Sequence, residues 1–194
     1  MKNRSDLLTP EFRALSARLG SDPLQVQGPG GNTSIKDGEV MWIKASGTEL
    51  ANAETQDIFV AVDRNAAKAE ASGYGDGSCK QTVLDPAITL RPSIETTFHA
   101  ALDYTVVAHT QTVAAVVPVV GPEGRAQAVK KLAGLPFVMV PYAKPGLPLT
   151  REILSRVTPD TKVILLQNHG LICCGDTVDD LSLIHISEPT RRTP

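Results

Sequence analysis

The chain has 194 residues, 42% of them hydrophobic and 21% charged, with a formal net charge of -2. Such a length and apolar content suit one domain with one sizeable core, and a near-neutral chain without a Lys/Arg block lacks the electrostatic footprint of a nucleic-acid or membrane-surface binder. No apolar run approaches the roughly 20 residues that span a bilayer, and no signal-peptide-like apolar stretch follows the N-terminal Met1 to Asp6, so the expected location is the cytoplasm.

Thr9-Pro10-Glu11 reads as a helix start, with a capping hydroxyl, a first-turn proline and a first-turn acid, and Gly20 as its stop; Phe12, Leu15 and Leu19 share one face. Asp37-Gly38, between residues 32–35 and 40–44, predicts a tight hairpin. Residues 58–62 read as a further strand, and 66–78, rich in Ala, Gly and Ser, as a surface excursion. A helix is expected after Pro92, carrying Glu95, Phe98, His99 and Leu102, followed by an apolar strand at 105–108 that delivers His109. The alternation continues with a helix around 126–132, a strand at 137–140, a helix at 151–157 and a strand at 162–166. This order predicts an α/β fold, a sheet covered by helices on its faces.

Thr177-Val178-Asp179-Asp180 has the cap and first-turn acids of another helix, but residues 181–191 do not continue one. They match an in-frame translation of a widely used transposase sequencing adapter. Residues 1–180 are therefore read as a domain lacking its C-terminal part, and 181–194, His185 included, are set aside as an artefact.

Gly28-Pro29-Gly30-Gly31-Asn32-Thr33-Ser34 places small residues, an amide and two hydroxyls just before a strand. Successive glycines let the backbone turn N–H groups into a concavity that accepts an anion, although the same residues make an ordinary turn. Neither Gly-x-Gly-x-x-Gly nor Gly-Lys-Ser/Thr is present, which argues against Rossmann and P-loop sites. Ala45-Ser46-Gly47-Thr48 is a second small, hydroxyl-rich loop. In Pro92-Ser93-Ile94-Glu95, Glu95 is either a first-turn acid favoured by the helix dipole or a general base, a task that needs a pKa poised near the working pH by partial burial. His99 reads as a packed or hydrogen-bonded helix histidine and Lys144 as a solvated loop lysine. His109 and His169 follow apolar strands, in Val-Val-Ala-His-Thr-Gln and Leu-Leu-Gln-Asn-His-Gly, and can converge on a metal. Adjacent Cys173 and Cys174 would face opposite sides of a strand, so the three cysteines read as buried thiols rather than a disulfide frame.

Taken in order, Gly30-Gly31-Asn32-Thr33-Ser34, Pro92-Ser93-Ile94-Glu95, His109-Thr110-Gln111 and Asn168-His169-Gly170 resemble the class II aldolase/adducin family, typified by fuculose-1-phosphate aldolase. The resemblance implies a three-layer α/β/α fold with a central, largely antiparallel sheet, assembled as a homotetramer with sites between subunits. It implies retro-aldol cleavage of a ketose 1-phosphate, with Gly31, Asn32, Ser34, Ser46, Gly47 and Ser93 receiving the phosphate and Glu95 moving the proton. His109 and His169 would hold a divalent metal, Zn2+ by preference. The family's third histidine position is Gln111 here. A strand would point residues 109 and 111 to the same side, but an amide oxygen is a poorer zinc ligand than imidazole. Three readings of Gln111 stand: a non-catalytic relative, a working site with altered metal affinity, or a miscalled base. The rival to an aldolase is an adducin-like scaffold that has lost its metal; dehydration, epimerisation and decarboxylation of sugar phosphates also run on this fold.

Overall fold

The computed structural model describes residues 3–181. Its seven strands are β1 (Asn32–Asp37), β2 (Val40–Lys44), β3 (Phe59–Asp63), β4 (Val106–Thr110), β5 (Phe137–Val140), β6 (Val163–Leu166) and β7 (Gly170–Gly175). They form one sheet in the order β3-β2-β1-β4-β7-β6-β5. Every neighbouring pair is antiparallel except β5 and β6. Six α-helices accompany them among the described residues: α1 (Pro10–Ser21), α2 (Arg64–Ala71), α3 (Thr96–Ala101), α4 (Val113–Val119), α5 (Pro122–Lys131) and α6 (Leu147–Leu154).

Alternate residues of each strand feed opposite faces, and both faces are apolar. On one face Ile35, Trp42, Ala61, Val106, Ala108, Val163 and Cys173 pack with Phe12, Leu15 and Leu19 of α1, Val119 of α4 and Ala128 of α5. On the other, Met41, Ile43, Val60 and Val62 meet Ala67 of α2 and Ala100 of α3. Val107, Ile164, Ile172 and Cys174 meet Phe98 of α3 with Leu149 and Ile153 of α6. The result is the three-layer α/β/α arrangement. Cys173 and Cys174 do face opposite sides, and all three cysteines are buried free thiols. At eight residues α6 is too short to persist alone in water. Fully burying Leu149 and Ile153, at roughly 1.5–3 kcal/mol each, is what holds it to the sheet.

Local chemistry explains most element ends and several departures from expectation. The Thr9 hydroxyl accepts from the Phe12 N–H, with Pro10 at the first helical position, so α1 starts where the sequence predicts. It does not stop at Gly20. A Cβ there would lie 2.2 Å from the Ala51 nitrogen, so Gly20 serves close approach of α1 to the chain after β2. Residues 66–78 are not simply an excursion, because the Asp63 carboxylate caps α2 by accepting from Ala66 N–H at 3.0 Å. The helix after Pro92 is shorter than expected, with Glu95 and Leu102 flanking α3 rather than inside it. The valine-rich α4 has no counterpart among the elements the sequence predicts. At Asp176 and Thr177 the N–H groups donate to Asp180 Oδ2, each at 3.0 Å, as expected of a helix start. The adapter-like segment from Ser182 on, with His185, lies outside the described residues. Among the described residues no helix is long and apolar enough to cross a membrane.

Candidate metal and anion site

The start of β1, the end of β4 and the start of β7 meet at one end of the sheet centre, since Asn32 pairs with His109 and Thr110 with Leu171. His169 precedes β7 in a tight turn where Asn168 adopts φ 56°, a left-handed conformation that asparagine tolerates. Gly170 follows because nothing larger fits: a Cβ there would lie 2.3 Å from the Thr110 carbonyl oxygen and 2.9 Å from His109 Nε2. The third contributor is Glu95, lifted onto the same point by the turn before α3. Ser93 Oγ accepts from the Glu95 N–H at 3.2 Å and its carbonyl accepts from Thr96, which builds that turn.

Glu95, His109 and His169 each offer a donor atom, and these atoms lie within 4.8 Å of one another. Glu95 Oε2 holds His109 Nδ1 at 2.8 Å, and Glu95 Oε1 is 3.7 Å from His169 Nε2. The imidazole rings stand perpendicular with centroids 4.9 Å apart. His109 is fully buried, Glu95 is 7% exposed, and His109 Nε2 and His169 Nδ1 are buried without a hydrogen-bond partner among the described residues. Two imidazoles and one carboxylate with donor atoms this close fit a divalent cation, and the carboxylate that fixes His109 Nδ1 leaves its Nε2 free as ligand.

Burial works to raise the Glu95 pKa, but His109, His99 and His169 around it prevail and hold it at about 2. Glu95 is therefore ionised rather than poised near working pH, with His109, hydrogen-bonded to it at 2.8 Å, as the chief stabiliser of the carboxylate. His99 is buried and hydrogen-bonded, as expected: its Nδ1 meets Ser34 Oγ at 2.7 Å and its ring stacks on Phe98. Burial pushes His99 down to about 3, so it is neutral, and its Nε2 has no partner among the described residues. Burial likewise lowers His169.

The phosphate candidates divide. Asn32 Nδ2 donates to Ser93 Oγ and lies 3.5 Å from Glu95 Oε2, so Asn32, Ser93 and Glu95 form one buried group. Ser93 Oγ accepts twice, from Asn32 and Glu95, which leaves its own proton to donate outward. The second loop is tied to this group, as Ser46 N–H donates to the Arg91 carbonyl at 2.8 Å and Ala45 pairs with Pro92. Ser46 and Gly47 are exposed, whereas Gly31 is buried. Gly31 and Gly47 both take left-handed φ, 64° and 80°. Among the described residues neither N–H has an acceptor. Ser34 is placed elsewhere: its hydroxyl is fully buried on the sheet and engaged by His99, so it lies beneath the site rather than in the cradle.

Gln111 also differs from expectation. β4 ends at Thr110, so no strand directs residue 111. Its buried Oε1, unpartnered among the described residues, lies against the first glycine loop, 2.7 Å from where a Cβ on Gly30 would sit. Sequence reasoning treats Glu95 as a base only and misses it as a third donor beside His109 and His169. It also passes over Lys44, which is buried at the root of the second loop. A lysine ending an otherwise apolar strand is the available signal for the second. Lys144 is exposed, as expected.

The Class II Aldolase and Adducin N-terminal domain family matches residues 13–185. The chain belongs to this family. The N-terminal class II aldolase domain of a conserved protein from Thermoplasma acidophilum shares 30% identity and superposes with a TM-score of 0.79, covering 96% of this chain and 95% of that one. L-fuculose-1-phosphate aldolase from Thermus thermophilus shares the fold at 16% identity and TM-score 0.58, over 89% of this chain and 80% of that one. An uncharacterized oxidoreductase, YuxG of Bacillus subtilis strain 168, is 32% identical over 178 residues, 82% of this chain. The match spans 25% of that relative's length.

Proposed function

We propose that this domain is a metal-dependent carbon–carbon lyase that cleaves a ketose 1-phosphate or a related sugar phosphate. The observation that carries the reading is the juxtaposition of Glu95, His109 and His169, donor atoms within 4.8 Å, with a glycine cradle whose Gly31 and Gly47 N–H groups have no acceptor among the described residues. A divalent ion held there, Zn2+ in this proposal, supplies Lewis acidity that polarises the substrate carbonyl. The chain's own residues do the rest. Gly31, Gly47 and the free Ser93 hydroxyl proton hold the phosphate, with the Asn32 amide orienting Ser93, and so fix the sugar against the cluster. Glu95, ionised and directed by Asn32 and His109, carries the proton to and from the carbon next to the carbonyl. The burial of this corner of the sheet excludes bulk water from the reacting atoms. We further propose that the protein is a homotetramer of the cytoplasm. Val113 and Val117 of α4 and Val120 just after it, all exposed, are surface that a second copy would cover.

The test is metal content per subunit after dialysis together with release of dihydroxyacetone phosphate from a panel of ketose 1-phosphates. Glu95→Gln should lower turnover roughly 10²–10⁴-fold; unchanged turnover removes Glu95 from the reaction. One observation favours the second reading, an adducin-like scaffold: Gln111 turns to the glycine loop where the family has a metal-binding histidine. A protein that holds no metal and turns over no sugar phosphate would decide for the scaffold.

A further inference from the structure

Three residues of β1 interrupt an otherwise apolar sheet face. Asn32, Ser34 and Lys36 share one parity and turn to the α3 side, where the neighbouring strands contribute Met41, Ile43, Val60, Val107 and Ile172. All three are buried, and each meets the segment 93–99. Asn32 Nδ2 donates to Ser93 Oγ, Ser34 Oγ meets His99 Nδ1 at 2.7 Å, and the Lys36 ammonium donates to the His99 carbonyl at 2.8 Å. Two residues of one strand therefore grip His99 at its ring and at its carbonyl. The His99 N–H in turn donates to the Glu95 carbonyl at 3.3 Å, the backbone bond that ties α3 to Glu95.

The helix cannot supply this order itself. At six residues α3 is too short to persist alone in water. Burial of Phe98 and Ala100 against the sheet is non-directional, so it holds the helix down without fixing its rotation. Hydrogen bonds are directional, and two of them on one residue fix rotation and register together. Glu95 stands immediately before α3, so any turn of the helix moves its carboxylate off the His109 Nδ1 that it meets at 2.8 Å. Phe98 adds a second link, stacked on the His99 ring at 4.7 Å and edge-on to His109 at 6.1 Å. Burying an ammonium is costly, and among the described residues no carboxylate forms an ion pair with Lys36. An apolar side chain of similar size would serve the fold as well or better. What it could not do is hold the His99 carbonyl.

We propose that Ser34, Lys36 and His99 are positioning residues of the metal cluster: β1 clasps His99 by ring and carbonyl and thereby sets Glu95 against His109 and His169. The proposal rests on the reading of Glu95, His109 and His169 as a metal site. None of the three clasp residues touches metal or substrate; they act through the start of α3. Metal affinity and the hydrogen bond between Glu95 and His109 should therefore follow the clasp.

The experiment compares the unmodified chain with Ser34→Ala, Ser34→Thr and Lys36→Met. Calorimetry measures Zn2+ affinity, and proton NMR of each metal-free protein follows the His109 Nδ1 proton that bonds Glu95. Ser34→Ala and Lys36→Met should each weaken Zn2+ roughly 10-fold and move the His109 resonance upfield, as a weakened hydrogen bond does. Ser34→Thr, which keeps the hydroxyl, should recover both. Affinity and resonance that Ser34→Ala and Lys36→Met leave unchanged overturn the proposal, whatever happens to the melting temperature. So does a Ser34→Thr variant as impaired as Ser34→Ala, which marks packing rather than the hydrogen bond. If the unmodified chain binds no Zn2+, the metal reading falls, and the His109 resonance alone decides whether the clasp positions Glu95. Should neither Ser34→Ala nor Lys36→Met fold, the reciprocal effect in the unmodified protein decides. Zn2+ should slow hydrogen exchange at the His99 N–H more than in the β2–β3 ladder, and equal slowing overturns the proposal.

Discussion

The candidate metal cluster and the proposed anion cradle are neighbours built on opposite principles. The cluster is made of side chains, Glu95, His109 and His169, drawn from three distant segments and locked by burial. The cradle is made mostly of backbone, from two short loops whose glycines sit at left-handed φ. In the cluster each atom is unique, so a single substitution removes a donor that nothing replaces. In the cradle the donors are several and each is worth little, so function is spread and damage is graded. Lys44 is the side chain that joins the two loops, donating to the Pro29 and Thr48 carbonyls.

The largest effect should come from the cluster. His109→Asn removes the buried donor nitrogen, and metal affinity should fall by more than about 100-fold, measured as metal retained after dialysis, while far-UV circular dichroism reports an intact fold. A variant that keeps its metal would show that His109 is structural.

Acid should likewise attack the cluster and spare the cradle. In the metal-free protein His99 is held at about 3, so from about 6.5 downward the unfolded chain binds a proton that the folded chain refuses, and stability falls with pH. Glu95, held at about 2, adds stability that is complete above about 4.5 and is lost as pH falls toward 2. Thermal melting between pH 7 and 3 should fall steadily. His99→Asn should flatten the upper part of the curve, and a pH-independent melting temperature would contradict these environments.

Glycine substitutions grade the comparison further. Gly170→Ala forces a Cβ against the Thr110 carbonyl and His109 Nε2, and should cost about 3 kcal/mol and reduce metal occupancy as well. In Gly31→Ala the new Cβ meets Val26 at 2.7 Å in a left-handed backbone, so about 2 kcal/mol is expected, with phosphate affinity reduced and metal retained. Gly47→Ala has the same φ sign but open space, with nothing within 4 Å of the added carbon, and should cost only about 1 kcal/mol. Urea unfolding of the three variants would check this order. Equal costs at positions 31 and 47 would show that crowding at Gly31 is relieved by movement of Val26.

The sequence by itself determined the elements that local chemistry controls and the motifs that mark the family. Thr9-Pro10 starts α1, Asp37-Gly38 turns the β1–β2 hairpin, and the apolar runs of β4 and β6 announce buried strands. The extent of α2 was less legible, because its cap Asp63 is a strand residue as well, and α4 reads locally as a strand of valines. Ser34 and Asn32 have the same parity on β1, so no periodicity could separate the hydroxyl that His99 engages from the amide that reaches Ser93. Only the tertiary structure decided that Glu95 joins His109 and His169, that Gln111 leaves the strand for Gly30, and that Lys44 binds both glycine loops. Each of those contacts links separate elements of the chain or depends on where a strand ends. Chain folding sets such distances, whereas the local sequence sets only which side chains are there to meet.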